Sequence, residues 1–348
     1  MPFLLNWFER QIYLKKNYAP GPILDWFAPL AFKTVYTSVK LQIFEILDKK
    51  GSLSLEEINS EIHGDENCVK TLLDTLCSLG YLVKKNGTYK NSRMTEKWML
   101  TTSEINLTEM LNFFDDAFNR WQNLDQAVLT GRPSIKGNEW FNSHENTWDN
   151  YHKNLRTAAK LIAGDIIKHI KLPDNIKKLV DIGGSHGYYS VKMCQKFPSL
   201  NAVIFDWKEA KPTALDTINA FAMNERISFV EGDVLSGSPG NDFDAAILFN
   251  TIRAFDEDES VIALKKINTY LKKGGILLIA DQFCTSLKSN FSRTNALLIV
   301  MELINSSKGK PYSSKDVSEM LLSTGFSKPK ETLLSRSPGI SLLTSYKL

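Results

Sequence analysis

Cysteine is scarce in this sequence, and long apolar runs are missing. The 348 residues include four cysteines, none of them in a Cys-x-x-Cys pair, so neither a disulfide framework nor a metal site is predicted. No segment approaches the run of about 18 apolar residues that a membrane span requires. The amino terminus also lacks the basic start and the small-residue cleavage site of a signal peptide. These absences favour a cytoplasmic protein with reduced, buried thiols.

Net charge and repetitive sequence are equally limited. The net charge is only +3, with 23% charged and 43% hydrophobic residues, which gives no reason to predict binding to nucleic acid or to a membrane. There are no internal repeats and no low-complexity tract. A chain of this length and composition is expected to fold as two globular domains or one large one.

Residues 33–100 have the pattern of three helices followed by a β-hairpin. Ser54 and Glu57 have the spacing of a capping box, and Asp65 is a candidate N-cap for the third helix. Lys85-Asn86-Gly87 lies between two short β-prone segments and indicates a tight turn. Three helices and a hairpin predict a winged helix.

A winged helix can bind DNA or pair two subunits, and here the charges favour pairing. The third helix carries three acidic residues against a single lysine, Lys70, whereas a helix that reads a DNA groove needs cations for its phosphate contacts. The aromatic arm of residues 1–32 is expected to pack on a partner subunit. We therefore predict a homodimer built through residues 1–100, with a DNA-binding regulator as the remote alternative.

Residues 101–172 are predicted to be helical and are rich in aromatic side chains. Their aromatic stripes exceed what one core helix needs, so some of these side chains are expected to line an apolar ligand pocket. The candidates in this segment are Phe114, Phe118, Trp148 and His152. His152 is expected to be a satisfied or exposed histidine rather than a base.

From residue 173 onward, strand and helix patterns alternate. Such alternation predicts an α/β fold with a mostly parallel sheet in residues 173–348, after a helical linker at 101–172. The predicted strands lie at 179–181, 201–206, 227–234, 244–250, 276–281, 328–334 and 340–346. The later helices are predicted at 257–271, 290–305 and 313–323.

The segment from Leu179 to Ser190 has the pattern of a strand, a glycine-rich turn and the start of a helix. Glycines let a ligand approach the backbone, and the helix start offers free N–H groups. Asp181 stands at the tip of the strand, where it would repel the pyrophosphate of a dinucleotide. The turn alone is weak evidence for a ligand site. An acid at this position suits a ligand with a cationic amine, such as the methionine end of S-adenosylmethionine.

Two further predicted strands also end in an acid. Asp206 follows Gly187 by nineteen residues, about the spacing at which an acid meets a ribose hydroxyl pair. Asp233 ends the next strand. Each acid alone can be a helix cap or a turn residue. Three in order along the carboxyl edge of a parallel sheet predict a nucleoside ligand with a cationic end.

In combination, these motifs resemble those of the dimeric small-molecule O-methyltransferases, the family of plant phenolic and bacterial polyketide or carotenoid methyltransferases. The resemblance covers nearly the whole chain. Residues 181–187, Asp-Ile-Gly-Gly-Ser-His-Gly, match the family's Asp-x-Gly-Gly-Gly-x-Gly, with Ser185 in place of the third glycine. The resemblance implies a Rossmann-like class I methyltransferase sheet, a winged-helix dimerisation domain, S-adenosylmethionine as cofactor and a small-molecule substrate.

The resemblance also implies which residues form the site. Asp206 corresponds to the family's ribose-binding acid, and residues 232–234 to its adenine-contacting stretch. The implied cofactor site consists of Asp181, Gly183, Gly184, Ser185, Gly187, Asp206, Trp207, Asp233, Val234, Phe249 and Asn250. The implied substrate pocket consists of Phe114, Phe118, Trp148, His152, Met301 and Asn305.

The catalytic positions depart from the family pattern. Arg253 stands where the family has the histidine that removes the acceptor's proton, and an arginine stays protonated in proteins and cannot be a base. Asp281 matches a catalytic acid of the family, whereas the position of its second acid falls near Pro311. Arg253 is expected either to act electrostatically on the substrate or to form a surface ion pair with Asp256 or Glu257.

Three functions remain open on this sequence. The main prediction is methyl transfer to an acidic oxygen or an activated carbon, which needs mainly the positioning of nucleophile and methyl group. The second is a cofactor-dependent rearrangement or elimination in which Arg253 polarises a carbonyl. The third is cofactor binding without catalysis.

Overall fold

The computed structural model describes most of the chain, which forms two compact units, residues 1–115 and 116–348. The described residues are 7–9, 11–12, 21–133, 141–142, 146–283, 290–307, 309–310, 312–334, 336–337 and 339–348. Parts of the predicted aromatic arm, residues 1–6, 10 and 13–20, lie outside them, as does Pro311. No helix in the described ranges is both long and apolar enough to cross a membrane.

The first unit is mainly helical and contains one antiparallel hairpin. Besides a short helix at Trp7–Glu9, its helices are α1 (Gly21–Lys40), α2 (Ile43–Lys50), α3 (Leu55–Ile62), α4 (Glu66–Ser78) and α5 (Arg93–Trp98), and its strands are β1 (Leu82–Lys85) and β2 (Thr88–Asn91). The predicted capping box is confirmed, because Ser54 and Glu57 bond each other's backbone N–H groups at the start of α3. Asp65 caps α4 as predicted, by accepting the N–H of Cys68.

The acidic side of α4 is bound to the hairpin. Asp74 accepts hydrogen bonds from Lys84 Nζ at 2.8 Å and from the Tyr89 hydroxyl at 2.9 Å. The unit's core lies beneath, around Phe44 and Leu73. By contrast, Trp26 on α1 is 74% exposed. In the first unit, Asp74 of α4 is therefore bonded within the unit, whereas α1 exposes an apolar side chain.

The second unit contains the predicted alternation of strands and helices. Helix α6 (Thr108–Trp121) continues into it from the first unit. Its remaining helices are α7 (Leu124–Thr130), α8 (Thr147–His169), α9 (Tyr188–Lys196), α10 (Lys211–Ala220), α11 (Glu257–Tyr270), α12 (Asn290–Ser306) and α13 (Ser314–Ser323). Its strands are β3 (Lys178–Ile182), β4 (Asn201–Asp206), β5 (Ile227–Glu231), β6 (Phe243–Phe249), β7 (Leu271–Gln282), β8 (Lys330–Leu333) and β9 (Ile340–Tyr346).

These strands form one mixed sheet in the order β5-β4-β3-β6-β7-β9-β8. Strands β3 to β7 are parallel, and β9 runs antiparallel between β7 and β8. Both faces are covered, since Leu179 of β3 belongs to one buried cluster and Val180 to the other. The α/β prediction is confirmed, including the closing pair of strands.

The direction in which the chain adds strands reverses at β3. Its neighbours are β4 on one side and β6 on the other, so the connections from β3 and from β5 leave in opposite directions. In open α/β sheets, ligands bind beyond the carboxyl ends of the strands at such a switch point. The fold therefore directs attention to the residues that follow β3, β4 and β6.

Two strand boundaries differ from the sequence prediction. Strand β5 ends at Glu231, so Asp233 lies in the following turn rather than at a strand tip. Strand β7 begins at Leu271, directly after α11, so the glycine pair at 274–275 does not end the helix. Its register with β6 shifts after Leu271, and Gly274 has a φ of 74°. The glycines instead accommodate a bulge.

Candidate functional site

The glycine-rich turn between β3 and α9 is the centre of the site. Three of its residues have positive φ angles, 65° at Gly183, 42° at Ser185 and 68° at Gly187. The N–H of Gly183 donates to the carbonyl of Phe205, the penultimate residue of β4, at 2.9 Å. This bond fixes the turn against the end of the neighbouring strand.

Asp181 lies beneath this turn and is almost completely buried. Its carboxylate accepts a hydrogen bond from Ser190 Oγ at 2.7 Å, and burial raises its pKa to about 7. A Cβ atom at Gly184 would lie 2.5 Å from Asp181 Cγ, so this position accepts no side chain without displacing the carboxylate. The position of the Asp181 carboxylate therefore requires a glycine at residue 184.

Asp206 ends β4 and faces the same turn. It accepts the N–H of Ser185 at 2.8 Å and the N–H of Trp207 at 2.7 Å. Burial raises the pKa of Asp206 to about 6, although these two N–H groups lower it. Asp181 is thus a buried carboxylate and Asp206 a half-buried one at the same edge, without a compensating cation in their described contacts. A cationic or hydroxyl-bearing ligand would stabilise their ionised forms.

An aromatic cluster from α8 borders the turn. Trp148 stacks on His152 with 5.8 Å between ring centroids, and meets Trp207 edge-on at 6.0 Å. His152 is 3% exposed, with Nδ1 at 2.7 Å from Ser185 Oγ. Its Nε2 has no hydrogen-bond partner in the described part of the chain, and burial lowers the pKa of His152 to about 4.

His152 therefore differs from the sequence expectation of a satisfied or exposed histidine. It is buried and only one of its two ring nitrogens is bonded. An unpartnered buried polar atom costs about 1–3 kcal/mol. No local sequence pattern indicates the pairing of His152 with Ser185, since the two residues are 33 positions apart.

Arg253 lies in a short 3-10 helix that follows β6, and it is linked to Asp281. Its Nη1 is 3.3 Å from Asp281 Oδ1, and its Nη2 donates to Asn250 Oδ1 at 3.3 Å. Asn250 in turn donates to the Tyr189 hydroxyl at 2.8 Å. The side chain of Asp281 is 1% exposed, and burial raises its pKa although the guanidinium lowers it.

The expected alternative, a surface ion pair of Arg253 with Asp256 or Glu257, is not what the structure contains. Asp256 caps α11, and Glu257 pairs with Lys310 at 2.8 Å. Asp281 Oδ2 has no hydrogen-bond partner among the described residues. The Arg253–Asp281 pair is thus mostly buried and retains one free carboxylate oxygen.

Helix α12 carries two polar side chains that point into the second unit's interior, Glu302 and Asn305. Glu302 pairs with the buried Arg120 and accepts the indole N–H of Trp121. One turn later, Asn305 is 1% exposed, and neither of its side-chain polar atoms has a described partner. Met301 is half-buried. A buried amide that bonds to nothing in the described chain suits a ligand-binding position.

The remaining predicted site residues make fewer described contacts with the glycine-rich turn. Asp233 accepts the N–H of Leu235 at 2.9 Å within its own turn, and Val234 beside it is buried. Phe249 ends β6 and meets Tyr189 edge-on at 5.2 Å. Phe118 is half-buried in the second unit, whereas Phe114 belongs to the first unit and is 44% exposed.

Sequence reasoning missed several residues that support the site. Ser190 holds Asp181 from one turn into α9, and the side chain of Thr251 occupies the space next to Gly183. Arg120 and Glu302 are 182 positions apart, so no local pattern indicates their pairing. Among the described residues, no group of three or more His, Cys, Asp or Glu is arranged to hold a metal ion.

Comparison with known proteins gives two adjoining family matches. The family model of an O-methyltransferase domain matches residues 121–327, and that of an O-methyltransferase dimerisation domain matches residues 27–102. The first match alone spans more than half of the chain.

Individual curated relatives are distant in sequence, and the two matches described next cover most of both chains. The 3-hydroxy-5-methyl-1-naphthoate 3-O-methyltransferase of Streptomyces sahachiroi is 22% identical, over 88% of this chain and 89% of the relative. The L-tyrosine C(3)-methyltransferase of Streptomyces lavendulae is 20% identical, over 74% and 73%. The structure of human N-acetylserotonin methyltransferase in complex with S-adenosylmethionine superposes with a TM-score of 0.80 at 20% identity, covering 99% of both chains.

Proposed function

The chain belongs to the O-methyltransferase family, and we propose that it transfers a methyl group from S-adenosylmethionine to a small aromatic or polyketide-like acceptor. One observation carries the proposal for this particular chain. Two carboxylates with raised pKa values, the buried Asp181 and the half-buried Asp206, flank a turn whose glycines have no room for a side chain. That arrangement suits a nucleoside with a cationic end and disfavours a dinucleotide pyrophosphate.

The residues present fit such a cofactor. Asp181 would face its cationic methionine end, and Asp206 its ribose hydroxyls. Gly183 and Gly184 carry no side chain that could keep a ligand away from the backbone of the turn. A Cβ at either position would collide with the side chain of Thr251 or Asp181. Trp207, Asp233 and Val234 would surround the adenine end, and Phe249 and Asn250 the other side. When bound, the cofactor supplies a methyl group on a positively charged sulfur.

The acceptor is proposed to carry an acidic oxygen or an activated carbon, with a nearby anionic or carbonyl group. Arg253 cannot remove a proton, but a guanidinium held by Asp281 and Asn250 can stabilise negative charge on the acceptor. The names of two relatives fit these options. One acts on a hydroxynaphthoate and the other methylates a tyrosine carbon. Phe118, Trp148, Met301 and Asn305 would line the acceptor pocket.

We assign residues 1–100 to dimerisation, 101–172 to the acceptor pocket and 173–348 to cofactor binding. The family match at 27–102 supports a homodimer, and so does the exposed apolar surface of α1. The regulator alternative is disfavoured, because Asp74 of the would-be recognition helix binds the hairpin's own Lys84. A cofactor-dependent rearrangement or elimination remains the second candidate, since Arg253 replaces the family's base.

The cofactor assignment predicts that S-adenosylhomocysteine, the demethylated product, binds the wild-type chain. Asp206→Ala should abolish this binding, because it removes the proposed partner of the ribose hydroxyls and the acceptor for the Ser185 N–H. Isothermal titration calorimetry measures the affinity. The matched control is Asp216→Ala on the exposed side of α10, which should bind like wild type. Absence of binding heat for the wild-type chain would remove the proposed function.

The role of Arg253 predicts a selective loss of turnover. With an acceptor identified by screening acidic phenols, enols and keto acids against labelled S-adenosylmethionine, Arg253→Ala should lower kcat by about 100-fold, as for one preorganised donor. Cofactor affinity should change little. Arg132→Ala, at an exposed turn, is the control. Wild-type turnover in Arg253→Ala would show that the pair with Asp281 is only structural.

The dimer assignment predicts a light-scattering mass of twice 39.4 kDa. Trp26→Asp should shift the protein toward monomer, because a charge would replace a large exposed indole in the proposed interface. Leu322→Asp is the control, since Leu322 is another exposed apolar side chain but lies on α13, outside the proposed interface. A stable dimer in Trp26→Asp would contradict the role of α1.

A further inference from the structure

His152 is a buried histidine whose second nitrogen is unused. Its ring is fixed by stacking on Trp148 and by edge contact with Tyr151, whose ring centroid lies at 5.2 Å. Nδ1 is bonded to Ser185 Oγ, whereas Nε2 has no partner among the described residues. A rigidly held imidazole with one free, water-excluded nitrogen is suited to act on a ligand.

Ser185 is an unusual residue for the position it occupies. Its φ of 42° is in the left-handed region that glycine adopts most easily, and the related motif has glycine here. Its backbone N–H is bonded to Asp206, and its hydroxyl to His152. The backbone role needs no side chain, so the contribution specific to serine is the bond that orients His152.

We propose that His152 is the general base of the methyl transfer, oriented by Ser185. This inference rests on the proposed function. The Nδ1–H of His152 donates to Ser185 Oγ, which leaves a lone pair on Nε2. Nε2 takes the proton of the acceptor's acidic hydroxyl while its oxygen bonds to the methyl carbon. The carbon–sulfur bond breaks and its electron pair goes to sulfur. The products are a methyl ether, the thioether nucleoside and an imidazolium that later releases its proton to water.

This assignment explains how the chain can lack the family's base. Arg253 cannot accept a proton, but next to a histidine base it can stabilise the developing oxyanion. In this chain the base would thus come from α8, and the group that stabilises the oxyanion would come from the segment after β6.

The surroundings of His152 keep it neutral near pH 7. The charged and titratable groups close to it are Asp149 and Arg156 on α8, Tyr151 beside it, His186 from the turn, and Asp206 behind Ser185. Of these, Asp149 raises the pKa of His152, but burial outweighs it and lowers the pKa to about 4.

The tautomer of His152 tests the inference without a known acceptor. NMR of isotope-labelled imidazole nitrogens, with the signal assigned by its loss in His152→Gln, should show a proton on Nδ1 and none on Nε2. His186 provides an internal reference of the opposite kind, because its Nδ1 accepts the N–H of Tyr188 at 3.0 Å. A His152 that carries its proton on Nε2 would be a donor, and the proposal would be overturned.

Kinetics provide the second test, using S-adenosylhomocysteine for binding and an acidic phenol from the screen for turnover. His152→Gln keeps a hydrogen-bonding amide but cannot act as a base. It should lower kcat by about 100-fold to 10,000-fold and leave S-adenosylhomocysteine affinity within about threefold. Ser185→Gly should fold normally, bind the nucleoside and lose about tenfold in kcat, because His152 then loses its orienting bond.

The outcomes separate this inference from the function on which it rests. Normal nucleoside binding with wild-type turnover in His152→Gln would overturn the role of His152 alone. A wild-type chain that does not bind the nucleoside would overturn the proposed function, and the base assignment with it.

Discussion

The placement of two carboxylates, one buried and one half-buried, at the ends of neighbouring parallel strands is the constraint on which the site depends. Asp181 and Asp206 are held by short hydrogen bonds from Ser190 Oγ and from the N–H groups of Ser185 and Trp207. Their raised pKa values mean that the folded chain keeps them at an energetic cost in their ionised form. A ligand that brings positive charge and hydroxyl donors would relieve that cost, which supports the proposed cofactor site at this edge of the sheet.

On the proposed acceptor side, the arrangement of charges differs from that around Asp181 and Asp206. There the charges are paired within the protein, as Arg253 with Asp281 and Arg120 with Glu302. Such pairs hold dipoles and charges in place before a reaction begins, so that little reorganisation is needed when charge develops. Among the described residues, the uncommitted groups on this side include the free nitrogen of His152, the amide of Asn305 and the second carboxylate oxygen of Asp281. The site thus combines fixed charge pairs with groups that can still bond a ligand.

Much of the fold could be predicted from local sequence, whereas several contacts in the candidate site depend on residues that are distant in the chain. The capping box at Ser54 and the turn at 181–187 are local patterns, so their structure was predictable. Strand β5 ends two residues before Asp233, because a run of β-prone residues does not define where pairing stops. The partnership of His152 with Ser185 arises only when α8 packs beside the turn, and no spacing rule indicates it.

The most direct test of the carboxylate account is the proton balance of S-adenosylhomocysteine binding. Asp181 and Asp206 have pKa values of about 7 and about 6 without ligand, and a bound ammonium group should lower the pKa of Asp181. Calorimetry at pH 6 in two buffers of different ionisation enthalpy should therefore show proton release on binding. At pH 8 the release should be close to zero, and affinity should be higher. Binding at pH 6 without proton release, or with proton uptake, would contradict the account.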